Sequence, residues 1–154
     1  MSMLKNTIAI IALVISPSFA LCQGTMSAPN LAKKTQLYVG IEPCNNGEVT
    51  TYEKHKGCGT QKVGYTIDDA SATPIDSFTK VYSGNDTVNY KIVSKNSNHL
   101  GGSMESIGYL SKSPIPGGVE IRSGNEPCNN GTATTSTRHL GCGTEFLGYT
   151  IPQD

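Results

Sequence analysis

Past residue 36 the apolar residues of this chain come in short runs, with no stretch at helical spacing. Thr79–Tyr82, Val88–Val93, Val119–Arg122 and Glu145–Thr150 carry β-branched and aromatic side chains and are bounded by Gly, Asn, Pro or Ser. That is the pattern of short strands joined by tight turns. The pattern also recurs. Residues 37–67, 81–110 and 121–151 align without internal gaps as three copies in a domain of about 40 residues per copy. Gly40, Gly84 and Gly124 are equivalent, and each copy closes on an aliphatic-Gly-Tyr triplet: Val63-Gly64-Tyr65, Ile107-Gly108-Tyr109 and Leu147-Gly148-Tyr149. A repeat of this period constrains architecture more tightly than local propensity does. The expectation is an all-β, β-trefoil-like fold of three pseudo-symmetric repeats, because a propeller needs at least four blades of this size. The single domain spans residues 37–154, divided as 37–76, 81–116 and 121–154. Copy one carries a four-residue excess within Asp68–Asp76, which reads as a loop insertion.

The chain starts differently. Lys5 precedes the apolar run Ile8–Ile15, too short to span a bilayer, and Ser18-Phe19-Ala20 places small residues where a signal peptidase reads them. Residues 1–20 are expected to be a signal peptide cleaved after Ala20; the alternative is a lipoprotein anchored at Cys22, disfavoured because Leu21 is not small. Residues 21–36 read as a mobile mature N-terminus. Secretion, to the extracellular space or periplasm, follows, with no membrane insertion of the mature chain.

Export permits disulfides. Cys44 and Cys58 lie 14 residues apart in copy one, as do Cys128 and Cys142 in copy three; copy two has lost both, as Val88 and Gly102. Joint loss is what bonded partners show, so the pairing expected is Cys44–Cys58 and Cys128–Cys142. Each bridge closes a short loop worth about 3 kcal/mol on chain-entropy arguments. Cys22 is left over.

Charge narrows the partners. The chain has 12 basic and 12 acidic residues and no basic patch with interleaved aromatics, which argues against nucleic acid. It holds no nucleophile elbow, no HExxH and no phosphate-binding glycine loop, and its carboxylates are spread through the repeats. A non-enzymatic protein with no cofactor is expected.

Two stretches carry a resemblance. Lys80-Val81-Tyr82-Ser83 and Met104-Glu105-Ser106-Ile107-Gly108-Tyr109 resemble the aromatic tandem repeats of secreted bacterial and fungal proteins, which run through His-Phe-Tyr-Thr and Glu-Gly-Ile-Gly-Tyr segments and have no assigned function. Glu105 and Glu145 match the acidic position, and Gln61 stands there in copy one. Asn89-Tyr90-Lys91-Ile92 stands in place of His-Phe-Tyr-Thr. The resemblance implies a trefoil-like domain with an accessory binding role.

Candidate ligand-binding positions follow the repeat. Asn45, Asn89 and Asn129 sit beside the acids Glu42, Asp86 and Glu126. Short amide and carboxylate side chains suit paired sugar hydroxyls, and Tyr38, Tyr52, Tyr82 and Tyr90 are candidate platforms for a sugar's apolar face. The same Asn-Asn-Gly segments, 45–47 and 129–131, are also hairpin-turn sequences, since Asn and Gly tolerate positive φ. All three histidines, His55, His99 and His139, occupy one equivalent position before a glycine. They either face a ligand, converging as a three-imidazole metal site at the limit, or cap backbone groups at a turn; no metal is assigned. The reading that follows is a secreted, lectin-like module for an extracellular glycan. The alternative is a secreted protein-interaction factor, an inhibitor or host-directed effector, presenting the Asp68–Asp76 loop to a surface or secreted protein.

Overall fold

A computed structural model describes residues 30–41, 46–85, 91–125 and 127–154 of the chain. The expected signal peptide, Cys22, Glu42, Cys44, Asn45, Asp86, Asn89, Tyr90 and Glu126 lie outside these residues. The described chain is all-β. Copy one supplies β1 (Lys33–Gly40), β2 (Val49–Thr50), β3 (Lys54–His55) and β4 (Cys58–Ile67). Copy two supplies β5 (Phe78–Ser83), β6 (Val93–Ser94), β7 (Asn98–His99), β8 (Gly102–Ser103) and β9 (Glu105–Ser111). Copy three supplies β10 (Glu120–Gly124), β11 (Ala133–Thr134), β12 (Arg138–His139) and β13 (Cys142–Tyr149). β1 takes in four residues assigned from sequence to the N-terminal linker. Their side chains are polar, so no apolar run marks them, yet their backbone pairs with β4.

The aliphatic-Gly-Tyr triplet is a β-bulge in every copy. Leu37 faces Gly64 but Tyr38 faces Lys62, leaving Val63 as the extra residue. The β5–β9 and β10–β13 pairs slip at the same place, leaving Ile107 and Leu147 extra. A bulge kinks the strand and re-aims its side chain, and here it carries that aliphatic residue to the core. The equivalent residues Leu37, Val81 and Ile121, and likewise Val49, Val93 and Ala133, are fully buried in one core cluster, with Val63, Leu147 and Ile107 packed among them. Ile67, Ala72, Ile115 and Ile151 form a second cluster, against which Tyr65 and Tyr109 pack.

The copies join through their returning strands. Ile67 pairs with Tyr109, Ser111 with Tyr149 and Ile151 with Tyr65, so the pairing closes on itself. A second set of bridges repeats the order: Thr50 to Ile92, Ser94 to Thr132 and Thr134 to Glu48. Each seam is thus made by one copy with the next.

The turns read as expected. Asn46 and Gly47, and Asn130 and Gly131, have positive φ. So do Lys56-Gly57, Leu100-Gly101 and Leu140-Gly141, the central pairs of the His-x-Gly hairpins, as a type I′ turn requires. A disulfide joins Cys128 and Cys142. Cys58 is also disulfide-bonded, and Cys44, the partner expected for it, lies outside the described residues. The Asp68–Asp76 insertion is held down by Asp68 N–H to Ala32 O at 2.8 Å, Ala32 N–H to Ser71 Oγ at 3.0 Å and a Lys34–Asp69 ion pair at 2.5 Å.

Candidate functional site

The equivalent histidines are all buried, at 1% exposure for His55, 3% for His99 and 1% for His139. Their neighbours differ. His99 Nδ1 lies 3.1 Å from the Asn130 carbonyl, to which it donates, and its Nε2 lies 3.3 Å from Thr132 Oγ1. His139 Nδ1 meets the Asn46 carbonyl at 3.3 Å in the same way. His55 and His139, however, converge on one carboxylate: Glu48 Oε2 lies 2.8 Å from His55 Nε2, and Glu48 Oε1 lies 3.5 Å from His139 Nε2. Lys56 Nζ completes the cluster at 2.9 Å from Oε2. Burial of Glu48 opposes ionisation, but His139, His55 and Lys56 more than offset it and hold the carboxyl well below the usual carboxylate range. Among the described residues, no group of three or more His, Cys, Asp or Glu is placed to hold a metal ion.

Asn129 is buried as well. Its side-chain amide donates to the His139 carbonyl at 2.7 Å, and its backbone N–H donates to Asn125 O at 2.9 Å. The described members of the expected binding set therefore hold the turn and the seam together from inside. Of that set, the structure brings only His139 together with His55 and with Asn129.

A different place opens to solvent. A cleft of about 350 Å³ lies at the seam of copies one and two, lined by Thr51, Ser83, Asn85, Ser103, Glu105 and Ile107 among others. Its size falls in the ~300–1,000 Å³ range of small-ligand sites. Thr51 Oγ1 and Ser83 Oγ lie 3.2 Å apart on its wall. Thr51 also borders a shallow depression of about 360 Å³ formed with Tyr52, Glu53 and Lys54, and Tyr52 is 53% exposed. Polar hydroxyls and an accessible aromatic ring therefore adjoin through one residue.

The three seams are built alike and filled differently. The N–H of Thr51 donates to Lys91 O, that of Lys95 to Gly131 O and that of Thr135 to Gly47 O, each at 3.1 Å. Thr51, Lys95 and Thr135 thus occupy one backbone position at three seams. At the seam of copies two and three, the Lys95 ammonium forms an ion pair with Glu145. At the seam of copies one and two, Glu105 is the counterpart of Glu145, but Thr51 stands where the lysine would be. Glu105 stands out in the sequence by its match to Glu145, whereas nothing local marks Thr51. The signal was available as the one lysine in the set Thr51, Lys95, Thr135, although the sequence does not say what that position faces.

Comparison with family models, curated proteins and solved structures finds no match to this chain.

Proposed function

We propose that this protein is a secreted, non-catalytic carbohydrate-binding module with a β-trefoil-like arrangement of its three copies, and that the cleft between copies one and two receives a sugar. The observation that carries this reading is the junction at Thr51. On one side lie the Thr51 and Ser83 hydroxyls and the Glu105 carboxylate, on the other the exposed Tyr52 ring. Carboxylate, amide and hydroxyl groups match the directional needs of sugar hydroxyls, and a tyrosine face matches the apolar side of a pyranose. The Cys128–Cys142 disulfide points to an oxidising compartment, which supports secretion. The cyclic strand pairing and the common bulge support the trefoil-like arrangement.

The test is to fill the cleft from within. Thr51→Lys copies the residue that occupies the next seam, so it is expected to pair with Glu105 and leave the fold intact. A glycan-array screen of the mature chain should find ligands that Thr51→Lys no longer binds and that Tyr52→Ala binds more weakly. Undiminished binding by folded Thr51→Lys would move the site out of the cleft. A blank array with folded protein would favour the protein-interaction reading, with a pull-down to follow.

A further inference from the structure

The filled seam shows what the open one lacks. Where Lys95 meets Glu145, an ammonium group carried on a flexible stem completes the carboxylate. Glu105 occupies the same position one copy earlier, and among the described residues no Lys or Arg lies within ion-pair distance of it. Around it are the hydroxyls of Thr51, Ser83 and Ser103; Asn85 and Lys91 also line the cleft, and the backbone beneath Thr51 is held as it is beneath Lys95. At the open seam Glu105 thus faces a cleft lined by hydroxyl groups, with Lys91 on its wall but not in ion-pair contact with it, where the next seam sets a primary ammonium against the equivalent carboxylate.

We infer that the ligand of this cleft is an amino sugar with a free amine, its ammonium bound to Glu105 where Lys95 Nζ sits against Glu145 at the next seam. This rests on the carbohydrate reading of the cleft and adds the substrate class. The cationic amine supplies a charge-assisted hydrogen bond to the carboxylate, and the ring hydroxyls reach Thr51, Ser83 and Ser103. Acetylation of the amine removes the charge and adds bulk where the carboxylate stands, so an N-acetylated sugar loses both the attraction and the fit.

The experiment titrates the mature chain calorimetrically with three oligosaccharides of equal length: glucosamine oligomers, their N-acetylated forms, and the corresponding glucose oligomers. The free-amine form should bind at least about tenfold more tightly than either of the others, the scale of one hydrogen bond to a charged group. Glu105→Gln should bring the three to similar affinity, with its thermal midpoint close to that of the parent because Glu105 is exposed. Equal binding of all three by the parent chain overturns the inference while leaving the carbohydrate reading standing. Preference for the free amine that survives Glu105→Gln also overturns it, because the ammonium is then recognised elsewhere. No binding of any of the three overturns the inference, and a blank across a wider glycan set removes the carbohydrate reading with it.

Discussion

Glu48 shows how much one side chain changes in a repeated frame. Its counterparts are Ile92 and Thr132, both uncharged, and among the described residues it is the one carboxylate that is buried at a seam. A buried carboxylate is costly unless it is paired and hydrogen-bonded. His55 at 2.8 Å and Lys56 at 2.9 Å supply that, with His139 at 3.5 Å from the other oxygen. The consequence for pH follows from the sign of the shift. The Glu48 carboxyl titrates below its ordinary value of 4.5 in the folded state, so it contributes stability above about pH 4.5 and loses it as pH falls further. Glu48→Gln keeps the shape but not the charge and should lower stability by about 1–3 kcal/mol near neutral pH. The deficit should shrink as pH drops below 4.5, as measured by denaturant titrations of both proteins across pH 3–7. A deficit that stays constant over that range would show that the ionised carboxylate contributes nothing specific. The sequence marks Glu48 only as an odd residue at a repeated position. Its partner His139 comes from the other end of the chain, and no local pattern joins the two.

At the level of strands and turns, much more was legible. The Asn-Asn-Gly and His-x-Gly segments were readable as turns or caps because positive φ is a local demand that few residues meet. The glycines of the closing triplets are points of close backbone approach. A Cβ at Gly108 would lie 2.5 Å from the Ile67 carbonyl, with φ at +112°, and a Cβ at Gly64 would lie 2.3 Å from the Ile151 carbonyl, with φ at +118°. The Ile67 carbonyl ends β4 and the Ile151 carbonyl belongs to the bridge just past β13, each in a neighbouring copy and in backbone that cannot yield cheaply. Gly108→Ala should therefore destabilise the protein by about 2–4 kcal/mol, combining strain in φ with the clash. Gly57→Ala meets no atom within 4 Å and carries only the φ strain, about 1 kcal/mol. Thermal unfolding of the two variants side by side checks this; similar losses would mean that the seam tolerates an extra methyl and that the bulge is not a tight packing point. What stayed illegible at this scale is the seam filling. Repeat alignment places Thr51, Lys95 and Thr135 at one position. It does not show that the position overhangs the acid of the following copy.

The whole molecule is held by a closed set of seams. In a linear array of repeats each unit meets its neighbours, the ends are free, and stability grows unit by unit. Here copy one pairs with copy two, copy two with copy three and copy three with copy one, through Ile67–Tyr109, Ser111–Tyr149 and Ile151–Tyr65. The core cluster takes a fully buried equivalent residue from each copy, Leu37, Val81 and Ile121. Opening any one seam exposes part of a core to which all three contribute, so no copy can detach at low cost. Native-state hydrogen exchange tests this on the intact chain. The amides of Thr51, Lys95 and Thr135 donate across the three successive seams, and Tyr65 and Ile151 exchange hydrogen bonds across the closing one, N–H to O at 2.8 and 2.9 Å. All five should exchange through openings of one free energy, equal within error to global unfolding, and should respond to denaturant with one slope. A distinctly lower free energy at Thr51 and Lys95, the two amides copy two shares with its neighbours, would mean that copy two opens alone. Copy two lacks both cysteine positions, as Val88 and Gly102, so it is the copy where the ring would yield first. A common free energy there would show that strand closure, without the crosslinks, is sufficient to make the three copies one cooperative unit.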